Sequence, residues 1–136
     1  MRKLMLVLGL VLVVALVLVG CSGGGGAAGP GDAARGKTLY NKSTIGSKSA
    51  EGCVSCHKYD EKEGKAEKAP YTKGTATRSE KRVAGMSASD YIKESITKPD
   101  SYIVEGFNKG DMYQKFGAEL SAQEIADLTA YLLSEK

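Results

Sequence analysis

The chain of 136 residues has no tryptophan, only two phenylalanines, one histidine and three cysteines. So few bulky apolar side chains give a chain of this length little mass for an interior. A single histidine excludes any site built from two imidazoles. No strand-like alternation of apolar and polar residues persists anywhere, and no segment repeats, which leaves an all-α reading. Charge of one sign is also lacking. Without Arg2 and Lys3 the 19 Lys/Arg become 17, against 16 Asp/Glu, a balance that argues against nucleic acid as a partner.

One long apolar run is present, and it comes first. Met1, Arg2 and Lys3 precede Leu4 to Val19, broken only by Gly9. A basic start before an apolar block reads as a secretory signal. The block ends in Leu18-Val19-Gly20-Cys21, which resembles the lipobox of bacterial lipoproteins. That resemblance implies removal of residues 1–20 and lipid on Cys21. An uncleaved anchor is the other reading, since about 17 residues is the short limit for a spanning helix. Both readings put the rest outside the cytoplasm at a membrane surface.

The 136 residues less the 20 of the leader leave 116, enough for one domain. Residues 21–34 are rich in glycine and read as a lipidated flexible tether that spans about 20 Å. The domain proper is expected over 35–136, with ordered sequence from near Asp32. Its charge is uneven: residues 32–82 hold 12 Lys/Arg against 7 Asp/Glu, and residues 83–136 hold 5 against 9.

"DAARGKTLY" has helical character, with Ala33, Ala34, Leu39 and Tyr40 for one face. Gly36 costs such a helix roughly 1 kcal/mol, worthwhile where another backbone comes close. Residues 41–52 and 57–82 are polar and read mostly as loop. Ser87 and Asp90 stand at capping-box spacing, with Met86 and Tyr91 as a staple, so a helix is expected from about Ala88 to Thr97. It would bury Tyr91, Ile92, Ser95 and Ile96 and stop before Pro99. Ser121, Glu124, Leu120 and Ile125 repeat the device. The last helix should run to about Ser134 with Ile125, Leu128, Tyr131 and Leu132 as its stripe. The segment between these helices, with glycines at 106, 110 and 117, is expected to be irregular. Three short helices with so few large side chains make a thin core, which a tightly bound group can supplement.

"CVSCH", residues 53–57, supplies a candidate. C-x-x-C-H is the attachment signature of c-type haem. Two thiols three residues apart reach the two vinyl groups of one porphyrin from a single turn. His57, next in line, presents its imidazole to the iron from the same side. Structural zinc needs four ligands, and no further histidine or cysteine pair completes the set. A thioredoxin-type pair needs a βαβ context that is absent. With Cys21 lipidated and Cys53 and Cys56 in the motif, no cysteine is left for a structural disulfide.

From about Ala33 to Leu133 the chain resembles a class I, monohaem cytochrome c. "GKTLY", "CVSCH", "KAPY", "YIKESITKPD" and "ADLTAYLLS" follow one another in family order. The resemblance implies an all-α small cytochrome c fold, three to five helices wrapped with long loops around one covalently bound haem c. It implies that the Pro70 carbonyl orients His57, and that Gly36 and Tyr40 pack on Tyr131 and Leu132. It points to Met112 as the sixth iron ligand, with Met86 as core packing before a helix and an open iron as the remaining possibilities. The family often has Met-Pro at that place, where this chain has Met112-Tyr113. Arg82, and with it Arg78, would neutralise a haem propionate. Tyr71, Tyr102, Ile103, Val104 and Phe116 would line the pocket.

The function so implied is non-enzymatic: single-electron transfer between redox protein partners at the membrane surface, from a domain held there by lipid on Cys21. The chain would act as a free monomer or as a subunit of a larger respiratory complex. A haem sensor or peroxidase-like enzyme would instead require a vacant sixth position.

Overall fold

The computed structural model describes residues 28–136. The leader and Cys21 lie outside them. Among the described residues no helix is long and apolar enough to cross a membrane.

Five α-helices follow in order: α1 Ala33–Tyr40, α2 Thr75–Ser79, α3 Ala88–Thr97, α4 Phe116–Glu119 and α5 Ala122–Ser134. Short 3-10 turns occupy Cys53–Ser55, Glu61–Glu63 and Pro99–Ser101. The fold is all-α, as expected, with one addition. Strands β1 Thr44–Ile45 and β2 Ala50–Glu51 pair antiparallel, Thr44 opposite Glu51 and Ile45 opposite Ala50. Two residues per strand are too few to show an alternating pattern.

Helices α3 and α5 start at their serines. Ser121 forms a full capping box: its hydroxyl accepts from Glu124 N, and the Glu124 carboxylate accepts from Ser121 N. At α3 the box is half made. Ser87 Oγ accepts from Asp90 N and donates to Asp90 Oδ2, but aspartate, one methylene shorter, leaves the Ser87 N–H uncapped by its side chain. Tyr91, Ile92 and Ile96 are buried, while Ser95 is half-buried.

The framework is the crossing of α1 on α5. Gly36, Leu39 and Tyr40 form the buried face of α1. A Cβ on Gly36 would stand 1.9 Å from the Asp127 carbonyl oxygen, so only glycine lets the backbones meet. The Tyr40 and Tyr131 rings pack edge-on at 5.2 Å, the contact expected of this crossing. Asp127 is buried with its carboxylate satisfied by three residues: Arg35 at 2.8 and 3.0 Å, Asp32 N at 2.8 Å and Gln123 at 2.9 Å. These bonds, Arg35 first, hold its carboxyl well below the usual range.

The ordered fold begins ahead of residue 35. Ala33 and Ala34 belong to α1, and Gly29 N donates to Gln123 Oε1 at 2.8 Å. Gly31 lies so close to α5 that a Cβ would stand 2.1 Å from the Ala126 carbonyl oxygen. The end of the segment expected as tether therefore lies along the last helix. Helices α2 and α4 also lie where loop was expected. α2 starts at Gly74 in the left-handed region and is fixed to the chain end by Ala76 N donating to Glu135 O at 2.9 Å.

Candidate functional site

The β1–β2 ladder delivers the chain directly to the motif. Gly52 N donates to Ser43 O at 2.8 Å, and a Cβ there would stand 1.8 Å from the Lys42 carbonyl oxygen. A 3-10 turn opens at Cys53. Cys56 N and His57 N both donate to Cys53 O, at 3.2 and 2.9 Å, which gathers Cys53, Cys56 and His57 onto one turn.

The next segment folds back over that turn. Thr72 N donates to Lys58 O at 3.0 Å and Lys73 N to Tyr59 O at 2.9 Å. The Tyr71 hydroxyl donates to Gly64 O and accepts from Ala66 N, which closes the loop between. Pro70 is thereby brought to His57: Nδ1 lies 2.8 Å from the Pro70 carbonyl oxygen. A carbonyl only accepts, so Nδ1 carries the proton and the Nε2 lone pair is left for a metal. Burial pushes the affinity of the His57 imidazole for a second proton down, against an opposing effect of the Pro70 bond. Burial also pushes the Cys53 thiol up to about 12, so it is protonated at neutral pH. Tyr40 stands over this turn, its ring centroid 6.4 Å from that of His57, and its hydroxyl is 2.6 Å from Thr72 Oγ1.

Cys53, Cys56, His57 and Pro70 form one wall of a cavity of about 620 Å³. That volume falls in the range of small-molecule sites, roughly 300–1,000 Å³. Helix α3 gives it Tyr91, Ile92, Ser95 and Ile96, α4 gives Phe116, and α5 gives Leu128 and Leu132. Tyr71, Tyr102, Ile103 and Val104 also line it.

The two methionines separate here. Met112 is half-buried on the cavity wall, whereas Met86 packs against the core and does not line the cavity. The arginines separate too, although both line the cavity. Arg78 spends its guanidinium on the carbonyls of Lys73, at 2.7 Å, and Tyr71. The Arg82 guanidinium makes no hydrogen bond or ion pair among the described residues, so of the two arginines it is available to an anionic group in the cavity.

Sequence reasoning missed several lining residues. Thr72 and Ser79, both buried, and Thr75 face the cavity from the stretch read as loop. Their only sequence signal is nearness to the "KAPY" segment.

The donor set fits the haem that C-x-x-C-H implies: two thiols, an imidazole with a free lone pair and a thioether, around a mostly apolar space. Among the described residues no group of three or more His, Cys, Asp or Glu is arranged to hold a metal ion.

A family model described as Cytochrome c matches residues 33–136. Comparison with curated proteins and with solved structures gave no match.

Proposed function

The chain belongs to the cytochrome c family, and from that premise we propose that it is a membrane-tethered carrier of single electrons between extracytoplasmic redox proteins. Family membership supports haem as the cofactor and electron transfer as the general role. The finer reading is that Cys53 and Cys56 would hold one haem c through thioether bonds, and that His57 and Met112 would ligate its iron. The observation that carries it is the lining of one cavity by all four residues, with His57 Nδ1 bonded to Pro70 O.

When bound, haem supplies one-electron exchange between ferrous and ferric iron. The chain's residues make that exchange cheap in reorganisation. Pro70 keeps the His57 ring in one tautomer and orientation. A thioether from Met112 would favour the reduced state of the iron it held. Arg82 would offset the negative charge of a propionate. Apolar side chains from α3, α4 and α5 line the cavity, so a charge change there would meet few mobile dipoles. No proton transfer or bond cleavage is asked of any side chain, and the protein is accordingly not an enzyme.

The anchor is lipid on Cys21, which places the domain outside the cytoplasm on a bacterial membrane. Confinement there raises its effective concentration near membrane-bound partners.

The ligand assignment is tested by the far-red absorbance band of ferric iron bound to methionine sulfur. Met112→Ala should abolish it and Met86→Ala should retain it; the reverse pattern would overturn the assignment. Mass spectrometry of the membrane-extracted protein should find residues 1–20 removed and lipid on Cys21, and an unlipidated chain that keeps residues 1–20 would contradict lipidation.

A further inference from the structure

The chain from Tyr102 to Lys115 carries Met112 without helix or strand, yet side-chain hydrogen bonds tie Met112 and its neighbours to ordered elements. Asp100 Oδ1 accepts from Gly110 N at 2.9 Å and from Gln114 Nε2 at 3.2 Å. The same Gln114 amide donates to the Met112 carbonyl at 2.7 Å. Asp100 lies in the 3-10 turn that follows α3, so the Met112 backbone is tied to the end of that helix through the side chains of Gln114 and Asp100.

A second tie is made by the residue next to Met112. The Tyr113 hydroxyl donates to Glu119 Oε1 at 2.6 Å, a length typical of a hydroxyl on a charged carboxylate. The Tyr113 ring also meets Phe116 edge-on at 5.0 Å. Glu119 Oε2 is buried and has no hydrogen-bond partner among the described residues, so the Tyr113 hydroxyl is the partner on which that carboxylate depends there. Glu119 in turn is fastened to the turn between β1 and β2, its carbonyl accepting from Ser47 N at 3.3 Å.

The two residues that follow Met112 are thus pinned to separate elements, Gln114 to the turn after α3 and Tyr113 to α4. An irregular segment free of such ties would spread the sulfur over many positions, because ordering the chain costs backbone entropy. We propose that Gln114 and Tyr113 are positioning residues for the Met112 thioether, holding it against the cavity and resisting its displacement by outside ligands. The inference rests on Met112 being the sixth ligand.

The test is an optical titration of the ferric, haem-loaded full chain with imidazole, which competes for the sixth position. The double variant Tyr113→Phe/Gln114→Ala should bind imidazole about tenfold more tightly than the wild type, the worth of one or two such hydrogen bonds. Tyr113→Phe alone, a hydroxyl deletion at an exposed ring, should move in the same direction. Arg35→Met, which loosens the distant α1–α5 crossing, should lower stability yet leave imidazole affinity unchanged. Unchanged affinity in the double variant, together with loss of the far-red band in Met112→Ala, would overturn the inference and leave the ligand assignment standing. An equal gain of affinity in Arg35→Met would overturn it too, by assigning the effect to general loosening. Persistence of the far-red band in Met112→Ala would overturn the ligand assignment and the inference with it.

Discussion

Replacing Gly36 by alanine sets two effects against each other, and their magnitudes decide the sign. Alanine favours helix α1 by roughly 1 kcal/mol over glycine. The added Cβ, however, would stand 1.9 Å from the Asp127 carbonyl oxygen, 2.5 Å from its carbon and 2.9 Å from Tyr131 Cβ. Ordinary carbon contacts begin near 3.5 Å, so α1 must withdraw by about 1.5 Å. Overpacking of this kind costs about 1–3 kcal/mol. Withdrawal also stretches the bonds from Arg35 and Asp32 to the buried Asp127 carboxylate, and losing one bond to a charged group costs about 1.5–3 kcal/mol more. The net expectation is a loss of roughly 2–4 kcal/mol. Urea unfolding of the haem-loaded protein should show it as a midpoint lower by about 1–2 M with an unchanged slope. Thr38→Ala, at an exposed site on the same helix, should stay within about 0.5 kcal/mol. A Gly36→Ala variant as stable as the wild type would refute the close crossing.

The buried pair Tyr40–Thr72 behind His57 should behave as a coupled unit. Tyr40→Phe strands the Thr72 hydroxyl, itself 2% exposed, and should cost about 1–3 kcal/mol in chemical denaturation. Adding Thr72→Val should recover at least half of that loss, and simple additivity in the double mutant would contradict the bond. Asp127→Asn should destabilise by about 1–3 kcal/mol at neutral pH. Because the folded-state carboxyl lies below its unfolded value, that contribution is complete above about pH 4 and lost as pH falls toward the folded-state value. The stability gap between wild type and variant should therefore close on acidification, and a gap that widens below pH 4 would reverse the sign of this linkage.

What could be read from the chain was what is local. Ser87 and Ser121 announce helices with neighbours three residues away, and both helices start there. C-x-x-C-H is equally local, since its three side chains need only one turn. Helix α2 was not legible because it is polar and begins at a left-handed glycine, and it is secured by the distant Glu135 carbonyl. Asp127 sits on a helix face where charge ordinarily means solvent, and its partner Arg35 lies 92 positions away. The stretch Gly29 to Gly31 misled for a physical reason. Its small residues were read as flexible tether, but their smallness is what lets the backbone approach α5. Met112 and Pro70 came from family resemblance, because nothing in their own neighbourhoods specifies which cavity they border.

The central claim is that a haem joined to Cys53 and Cys56 fills the cavity and carries the electron. Intact-mass measurement under denaturing conditions tests it most directly, on the processed chain made in a host equipped to attach haem. The account predicts a single species heavier by one haem that survives denaturation, with the increment lost in Cys53→Ala/Cys56→Ala. A fully folded chain at the mass of its amino acids alone would contradict it.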